Sequence, residues 1–249
     1  MDTSQQSRPM DRASDQVVVI GAGMGGLAAA MRLAHAGMEV TVVDSHRAPG
    51  GKMRTVESPA GPVDAGPTVM TMRHVFDDLF AACGTALDDH VTLVPDPVLA
   101  RHWWPDGSAL DLFADAERSA GAIRAFAGPG EAEAFHRFSG RARQLFEAFD
   151  APMMQAATPR LGDLTARVLK APALLPALAP HRTLAGALSA TFRDPRLRQL
   201  FGRYATYVGG SPFRVPAVLA LIWHAEASGV WAVEGGMHRL AEAMAGVAE

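Results

Sequence analysis

The sequence predicts an α/β protein: a parallel sheet with helices that binds a dinucleotide, carrying an inserted α+β, helix-rich domain. Three observations predict it. Val17-Val18-Val19-Ile20 runs into the turn Gly21-Ala22-Gly23-Met24-Gly25-Gly26; a second apolar strand ends in Asp44; two further turns follow at Gly50-Gly51-Lys52 and Asp64-Ala65-Gly66-Pro67-Thr68.

Val17–Ile20 is a short apolar run of the kind that forms a buried parallel strand. Gly21, Gly23 and Gly26 then make G-x-G-x-x-G at the entry to an Ala-rich helix. The first glycine permits the tight turn, the second lets a pyrophosphate approach the backbone, and the third lets helix and strand pack closely. The helix N-terminus offers its free N–H groups to the phosphates. Leu27, Ala30, Met31 and Ala34 share one helical face, and Gly37 ends the segment as a C-cap. Val40, Val42 and Val43 make the next strand, and Asp44 stands 18 residues after Gly26, where a carboxylate takes the ribose hydroxyls.

Arg47-Ala48-Pro49-Gly50-Gly51-Lys52 follows the acid closely. Adjacent glycines allow positive φ and close backbone approach, and the flanking cations suit a phosphate. In isolation this is an ordinary Pro-Gly turn. In this position it resembles the double-glycine motif of flavoproteins in the amine oxidase and phytoene desaturase group. Val63-Asp64-Ala65-Gly66-Pro67-Thr68 is similar to the third motif of that group. The resemblance continues through Val69-Met70-Thr71-Met72, Trp104-Pro105-Asp106-Gly107, Tyr207-Val208-Gly209-Gly210-Ser211-Pro212-Phe213, and Gly229-Val230-Trp231 before Gly235-Gly236-Met237. These stretches resemble bacterial carotenoid desaturases. Arg101-His102-Trp103-Trp104 with Leu110-Asp111-Leu112-Phe113 is most similar to the branch acting on hydroxyneurosporene and methoxyneurosporene.

The resemblance implies a Rossmann-like FAD-binding domain plus an inserted substrate domain, with FAD held by Gly21, Ala22, Gly23, Gly25, Gly26, Asp44, Ser45, Arg47, Gly50, Gly51, Lys52, Gly66, Pro67 and Thr68. Two positions depart from the pattern. Lys52 stands where many relatives carry arginine, which keeps the charge and loses the bidentate fork, and Arg73 stands where many carry proline. Family members are about twice as long as these 249 residues and close the flavin site with a later glycine-rich segment. The expectation is therefore an N-terminal fragment, inactive alone, with a tail over residues 1–16, the first part of the FAD domain over 17–95, a substrate and membrane-associated domain over 96–232, and a helix returning to the FAD domain over 233–249.

Composition fits a core-forming protein: 49% hydrophobic residues, a net charge of −3 and no block of like charge. That balance argues against a nucleic-acid partner. The single cysteine, Cys83, falls in register with Phe76, Leu79 and Phe80 on a helical stripe and reads as a buried structural thiol in a reducing, cytoplasmic compartment. Residues 1–16 are polar, without the apolar core of a signal peptide, and read as a disordered tail.

Val91–Val94 reads as a strand, and Leu99–Trp104 with Ser108–Phe113 as a hairpin about Pro105-Asp106-Gly107. Phe135, Phe138, Ala142, Leu145, Phe146 and Phe149 recur at helical steps and make one apolar face, either core or the lining of a tunnel for a polyene. Ala151–Leu188 joins Met153, Met154, Leu161, Leu164, Val168, Leu174, Leu175 and Leu178 to the cations Arg160, Arg167, Lys170 and Arg182. Its prolines break it well short of the ~20 residues of a spanning helix. Two readings stand: a Pro-rich connection, or a segment lying on a membrane surface. The resemblance favours attachment at the inner membrane, because a carotenoid must leave lipid to reach a flavin.

The nine histidines show no metal-ligand spacing, and there is no G-x-S-x-G elbow. No catalytic residue is assigned; Arg101, His102 and Glu234 are polar candidates, each with a solvated or structurally paired reading beside it. Removing hydrogen from a CH₂–CH₂ unit needs a hydride acceptor, which a flavin supplies. The resemblance thus implies desaturation of an acyclic carotenoid, 1-hydroxylated or 1-methoxylated, at C-3,4, with oxygen or a quinone as electron acceptor. The alternatives are a phytoene desaturase acting earlier, or, in another class, an inactive flavoprotein-like fragment or lipid-binding remnant.

Overall fold

The computed structural model describes residues 16–158 and 160–249. The expected tail lies outside them except for Gln16, which opens the first strand instead. The chain divides into two compact units, one built from the residues up to Pro95 with Trp231–Glu249, the other from Asp96–Val230.

In the first unit β1 (Gln16–Ile20) and β2 (Glu39–Val43) pair in parallel, Val17 opposite Val40 and Ile20 opposite Val43. The crossover between them is helix α1 (Met24–His35), which packs on both strands. A buried strand was expected at Val17–Ile20, and the structure corrects this: Val18 is 62% and Ile20 87% exposed. The cause is strand geometry. Successive side chains point to opposite faces, so Val17, Val19, Val40 and Val42 are half-buried while their alternates face outward.

Short antiparallel strands β3 (Thr55–Val56) and β4 (Val63–Asp64) follow, then β5 (Met70–Thr71), helix α2 (Arg73–Ala81) and β6 (Leu93–Pro95). The expected strand at Val91–Val94 starts two residues late. Val91 is buried and its N–H bonds to the Leu87 carbonyl at 3.1 Å, closing a turn. Cys83 also differs from expectation: α2 ends at Ala81, and the thiol sits on the following turn, half-buried against the core.

The second unit opens with the hairpin β7 (Val98–Trp103) and β8 (Ala109–Phe113). Its turn is closed by the Gly107 N–H on the Trp104 carbonyl at 3.0 Å, with Gly107 at φ +80°. Helix α3 (Ala116–Ala127) is capped by the Asp115 carboxylate, and α4 (Pro129–Phe149) starts with proline, whose missing N–H costs nothing at a first turn. Helices α5 (Leu161–Lys170), α6 (Leu175–Leu178), α7 (Leu184–Thr191), α8 (Pro195–Gly202) and α9 (Ile222–Ala227) complete it. The α4 stripe is core except at Phe146, which is half-buried with its ring 5.1 Å from that of His224. Phe135 and Phe138 pack with Phe192, Phe201 and Trp223, the Phe138 and Phe201 rings 4.6 Å apart. Leu145 and Phe149 pack with Leu174 and Ala177.

The Ala151–Leu188 segment is split by its surroundings. Leu174, Ala177, Leu184 and Leu188 are buried, whereas Met153, Met154, Leu175 and Leu169 are exposed, Leu169 by 76%. Among the described residues no helix is long and apolar enough to cross a membrane.

The chain then re-enters the first unit through β9 (Val230–Val233), which lies between β5 and β6 and runs antiparallel to β6, and α10 (His238–Ala248), which packs on α1. Leu27, Met31, Phe80, Leu87, Leu240 and Met244 form the core beneath.

Candidate functional site

The three glycine turns of the first unit converge. Gly21 leaves β1 at φ +102°, and its N–H bonds to the Val43 carbonyl at 2.7 Å, fastening the turn to the end of β2. A Cβ on Gly26 would stand 1.9 Å from the Gly21 carbonyl oxygen, so only glycine permits this closeness of turn and helix. Gly23 and Gly25 are different. A Cβ on either would meet nothing within 4 Å, which leaves open space above the turn. Among the described residues no side chain caps α1, and no acid lies in its first turn. Its N-terminal N–H groups and the positive end of its dipole are therefore left for an anion.

Asp44 follows the last residue of β2. Its Oδ2 accepts the Ala22 N–H at 2.7 Å, and its Oδ1 accepts the His46 N–H at 2.7 Å and lies 3.1 Å from His46 Nδ1. These bonds, the His46 backbone N–H first, hold its pKa down at about 2. The carboxylate is thus charged and fixed beside the turn.

The double-glycine turn folds back onto the first. The Gly50 N–H bonds to the Ala22 carbonyl at 2.7 Å, and Gly50 bridges Gly23 in parallel. Gly50 and Gly51 adopt φ +118° and +60°, and a Cβ on Gly51 would lie 3.1 Å from the Gly23 Cα. The third turn is packed as closely: a Cβ on Gly66 would fall 1.9 Å from the Lys52 carbonyl oxygen, and the Ala65 N–H bonds to the Arg54 carbonyl at 2.7 Å. Asp64 reaches the other way, its Oδ2 accepting the Met237 N–H at 2.9 Å at the start of α10.

The second and third turns, with the end of β2, border a cavity of about 560 Å³ lined by Asp44, Ser45, His46, Gly51, Lys52, Arg54, Ala65, Gly66 and Pro67, and Ala22 of the first turn lines the adjoining one. That volume falls in the roughly 300–1,000 Å³ range of ligand pockets. Arg47 lines an adjoining cavity with Asp44 and His46, and Thr68 is exposed beside Pro67. His46 and Arg54 were not singled out in the sequence. The signal for His46 was there, since a residue two after an aspartate commonly donates its N–H to that carboxylate.

Of the polar candidates, Arg101 is a cross-strand partner of Asp111, joined by two hydrogen bonds of 2.7 Å. His102 stacks beside Trp104, and burial pushes its pKa below the usual value. Glu234 is exposed after β9, its N–H on the Thr92 carbonyl at 3.0 Å.

Residues 24–249 match the model of the family described as flavin containing amine oxidoreductase. The chain is 62% identical over 234 residues to the hydroxyneurosporene desaturase of Cereibacter sphaeroides, covering 94% of this chain and 47% of that protein. It is 51% identical over 239 residues to the hydroxyneurosporene desaturase of Rubrivivax gelatinosus, covering 94% and 45%. To the phytoene dehydrogenase of Streptomyces griseus it is 36% identical, covering 94% and 46%. The chain thus spans about half the length of the curated relatives it matches. Among solved structures, a putrescine oxidase bound to putrescine matches with a TM-score of 0.57 at 16% identity, covering 94% of this chain and 49% of that one. Cyclohexylamine oxidase from Brevibacterium oxydans matches with a TM-score of 0.54 at 21% identity, covering 94% and 49%. At such identities the likeness is one of fold.

Proposed function

The chain belongs to the flavin containing amine oxidoreductase family, and from that premise we propose that its whole protein is an FAD-dependent desaturase of an acyclic carotenoid, hydroxylated or methoxylated at C-1 and desaturated at C-3,4. The observation that carries this is the join of two facts. Three glycine turns close on one another beside the charged Asp44, which supports a dinucleotide site there, and the relatives of 51–62% identity are hydroxyneurosporene desaturases. Phytoene is the weaker substrate reading, since the phytoene dehydrogenase stands at 36% identity.

The residues fit FAD. The space over Gly23 and Gly25 admits a pyrophosphate where a side chain would stand, and the uncapped α1 terminus faces it with N–H donors. Lys52, Arg54 and Arg47 supply cations at the cavities' edges. Asp44 accepts from the adenosine ribose with the oxygen lone pairs left after binding the Ala22 and His46 N–H groups. Bound FAD supplies the hydride acceptor for a CH₂–CH₂ unit. The first unit contributes orientation: Asp44 and the glycine turns fix the adenosine and pyrophosphate. The division of labour follows the two units, residues 17–95 and 231–249 serving the cofactor and residues 96–230 the substrate and the membrane, two residues short of the boundary expected at 232.

Attachment to the cytoplasmic face of the inner membrane completes the proposal. It is supported by exposed Met153, Met154, Leu169 and Leu175 lying in sequence among Arg160, Arg167 and Lys170. Apolar side chains enter the headgroup boundary while cations meet anionic lipid. The electrons pass on to oxygen or a quinone.

The test is expression of the complete reading frame in a host that accumulates hydroxyneurosporene. A pigment two hydrogens lighter is expected. Unchanged hydroxyneurosporene, with phytoene converted in a parallel host, would replace this substrate by the earlier one.

A further inference from the structure

A further glycine pair, Gly235-Gly236, turns the chain from β9 into α10 within the first unit. The two adopt φ +80° and +98°, and the Gly236 N–H closes the turn on the Val233 carbonyl at 2.9 Å. The first residues of α10 are thereby set against the second and third glycine turns. Asp64 takes the Met237 N–H, and a Cβ on Gly236 would lie 3.2 Å from the Asp64 Oδ1. One residue further on, His238 Nδ1 lies 3.1 Å from the Met53 carbonyl oxygen.

That carbonyl belongs to the double-glycine turn. The Met53 N–H bonds back to the Gly50 carbonyl at 3.0 Å, and a Cβ on Gly50 would fall 2.3 Å from the Met53 oxygen. A carbonyl oxygen can only accept, so Nδ1 carries the proton and His238 is the donor. Nε2 lies 3.3 Å from Glu242 Oε1, one turn along α10, and this second contact orients the ring. The histidine side chain is 16% exposed, so water competes little for its bonds. Ala241 of the same helix packs on Gly50, its methyl 3.2 Å from where a Cβ on that glycine would stand. The turn that carries Gly51 and Lys52, both on the cavity wall, is thus tied to α10 by a side-chain donor.

We propose that His238 is a positioning residue for the cofactor, acting through the Met53 carbonyl to hold Gly50-Gly51-Lys52 in the arrangement that receives the FAD pyrophosphate. This rests on the reading of the glycine turns as the FAD site and deepens it. Adjacent glycines have more conformations open to them than other residues, so the turn depends on outside contacts to select one. A turn already held in place binds phosphate without an ordering cost; with the His238 bond removed, that cost falls on the cofactor.

The test titrates FAD and ADP into apoprotein from the complete reading frame, as wild type, His238→Leu, His238→Asn and His238→Gln. The asparagine amide nitrogen stands where Nδ1 stands, whereas that of glutamine reaches to the place of Nε2. His238→Leu and His238→Gln should weaken FAD about tenfold, and ADP, which carries the pyrophosphate without the flavin, by the same factor. His238→Asn should restore both to within about twofold of wild type. Wild-type FAD affinity in the leucine variant overturns the proposal. So does an asparagine variant as weak as the glutamine one, a comparison that decides the matter even if circular dichroism shows the leucine variant unfolded. A loss for FAD with ADP unaffected also overturns it, because the histidine would then act on the flavin end. Gly23→Ala tests the premise separately: FAD binding unchanged in that variant overturns the assignment of the turns, a different result from a silent His238→Leu.

Discussion

The Asp44 carboxylate accepts the Ala22 N–H at 2.7 Å, joining the end of the second strand to the middle of the glycine turn. The acid proposed to read the ribose is therefore also a strut of the glycine turn. On that proposal, cofactor binding and local stability are coupled through one side chain.

That coupling has a pH signature. The folded pKa of Asp44 is lowered to about 2 from 3.8, so its contribution is complete above about 4 and is lost as pH falls towards 2. Asp44→Asn should lower thermal stability by a constant amount from pH 5 to pH 8, with the gap closing below about pH 4. A gap unchanged at low pH would show that the charge is not what fastens Ala22. FAD affinity should fall about tenfold or more in this variant at neutral pH, measured by flavin titration.

Two glycines of the same motif should respond in opposite ways. Gly23 has an extended backbone, φ −75° and ψ 175°, and room for a Cβ. Gly23→Ala should melt within about 0.5 kcal/mol of wild type yet bind FAD far more weakly, because the methyl occupies the pyrophosphate's space. Gly26→Ala drives a Cβ against the Gly21 carbonyl and should cost about 1–3 kcal/mol of stability as well as the flavin. Circular dichroism melts with flavin fluorescence separate the cases; equal melting of the two variants would refute the packing argument.

The proposed membrane surface can be tested residue by residue. Leu175 is exposed and Leu174, its neighbour, is buried against Leu145 and Phe149. Replacing Met153, Met154, Leu169 and Leu175 with serine should reduce sedimentation with anionic liposomes and leave the melting temperature alone. Leu174→Ser should do the reverse, at about 2–5 kcal/mol for a truncated core leucine. Liposome binding should weaken with salt, since headgroup attraction is screened. If the exposed quadruple variant binds vesicles as the parent does, the surface lies elsewhere.

The glycine cradle was legible in the sequence because its logic is local: strand, turn, helix and acid each announce themselves within a few residues, and Gly50 and Gly66 mark further close approaches. The hairpin about Gly107 was legible for the same reason. What escaped was environment. An apolar run gives the same signal whether one face or both are covered, so the exposure of Val18 and Ile20 was hidden. The stripe Phe76, Leu79, Phe80, Cys83 kept its period past the point where α2 stops. The prolines around Leu174 and Leu175 concealed which leucine turns inward. His238 and Met53 are 185 residues apart and meet only through the fold, so no spacing rule picks them out.

The central claim, that the whole protein oxidises a hydroxylated carotenoid with FAD, is tested most directly by mixing the FAD-loaded enzyme with hydroxyneurosporene without oxygen. The account predicts loss of the oxidised-flavin absorbance in step with a product two hydrogens lighter, about one per flavin. Oxidised flavin that persists with substrate bound, or product formed while it persists, would contradict the claim.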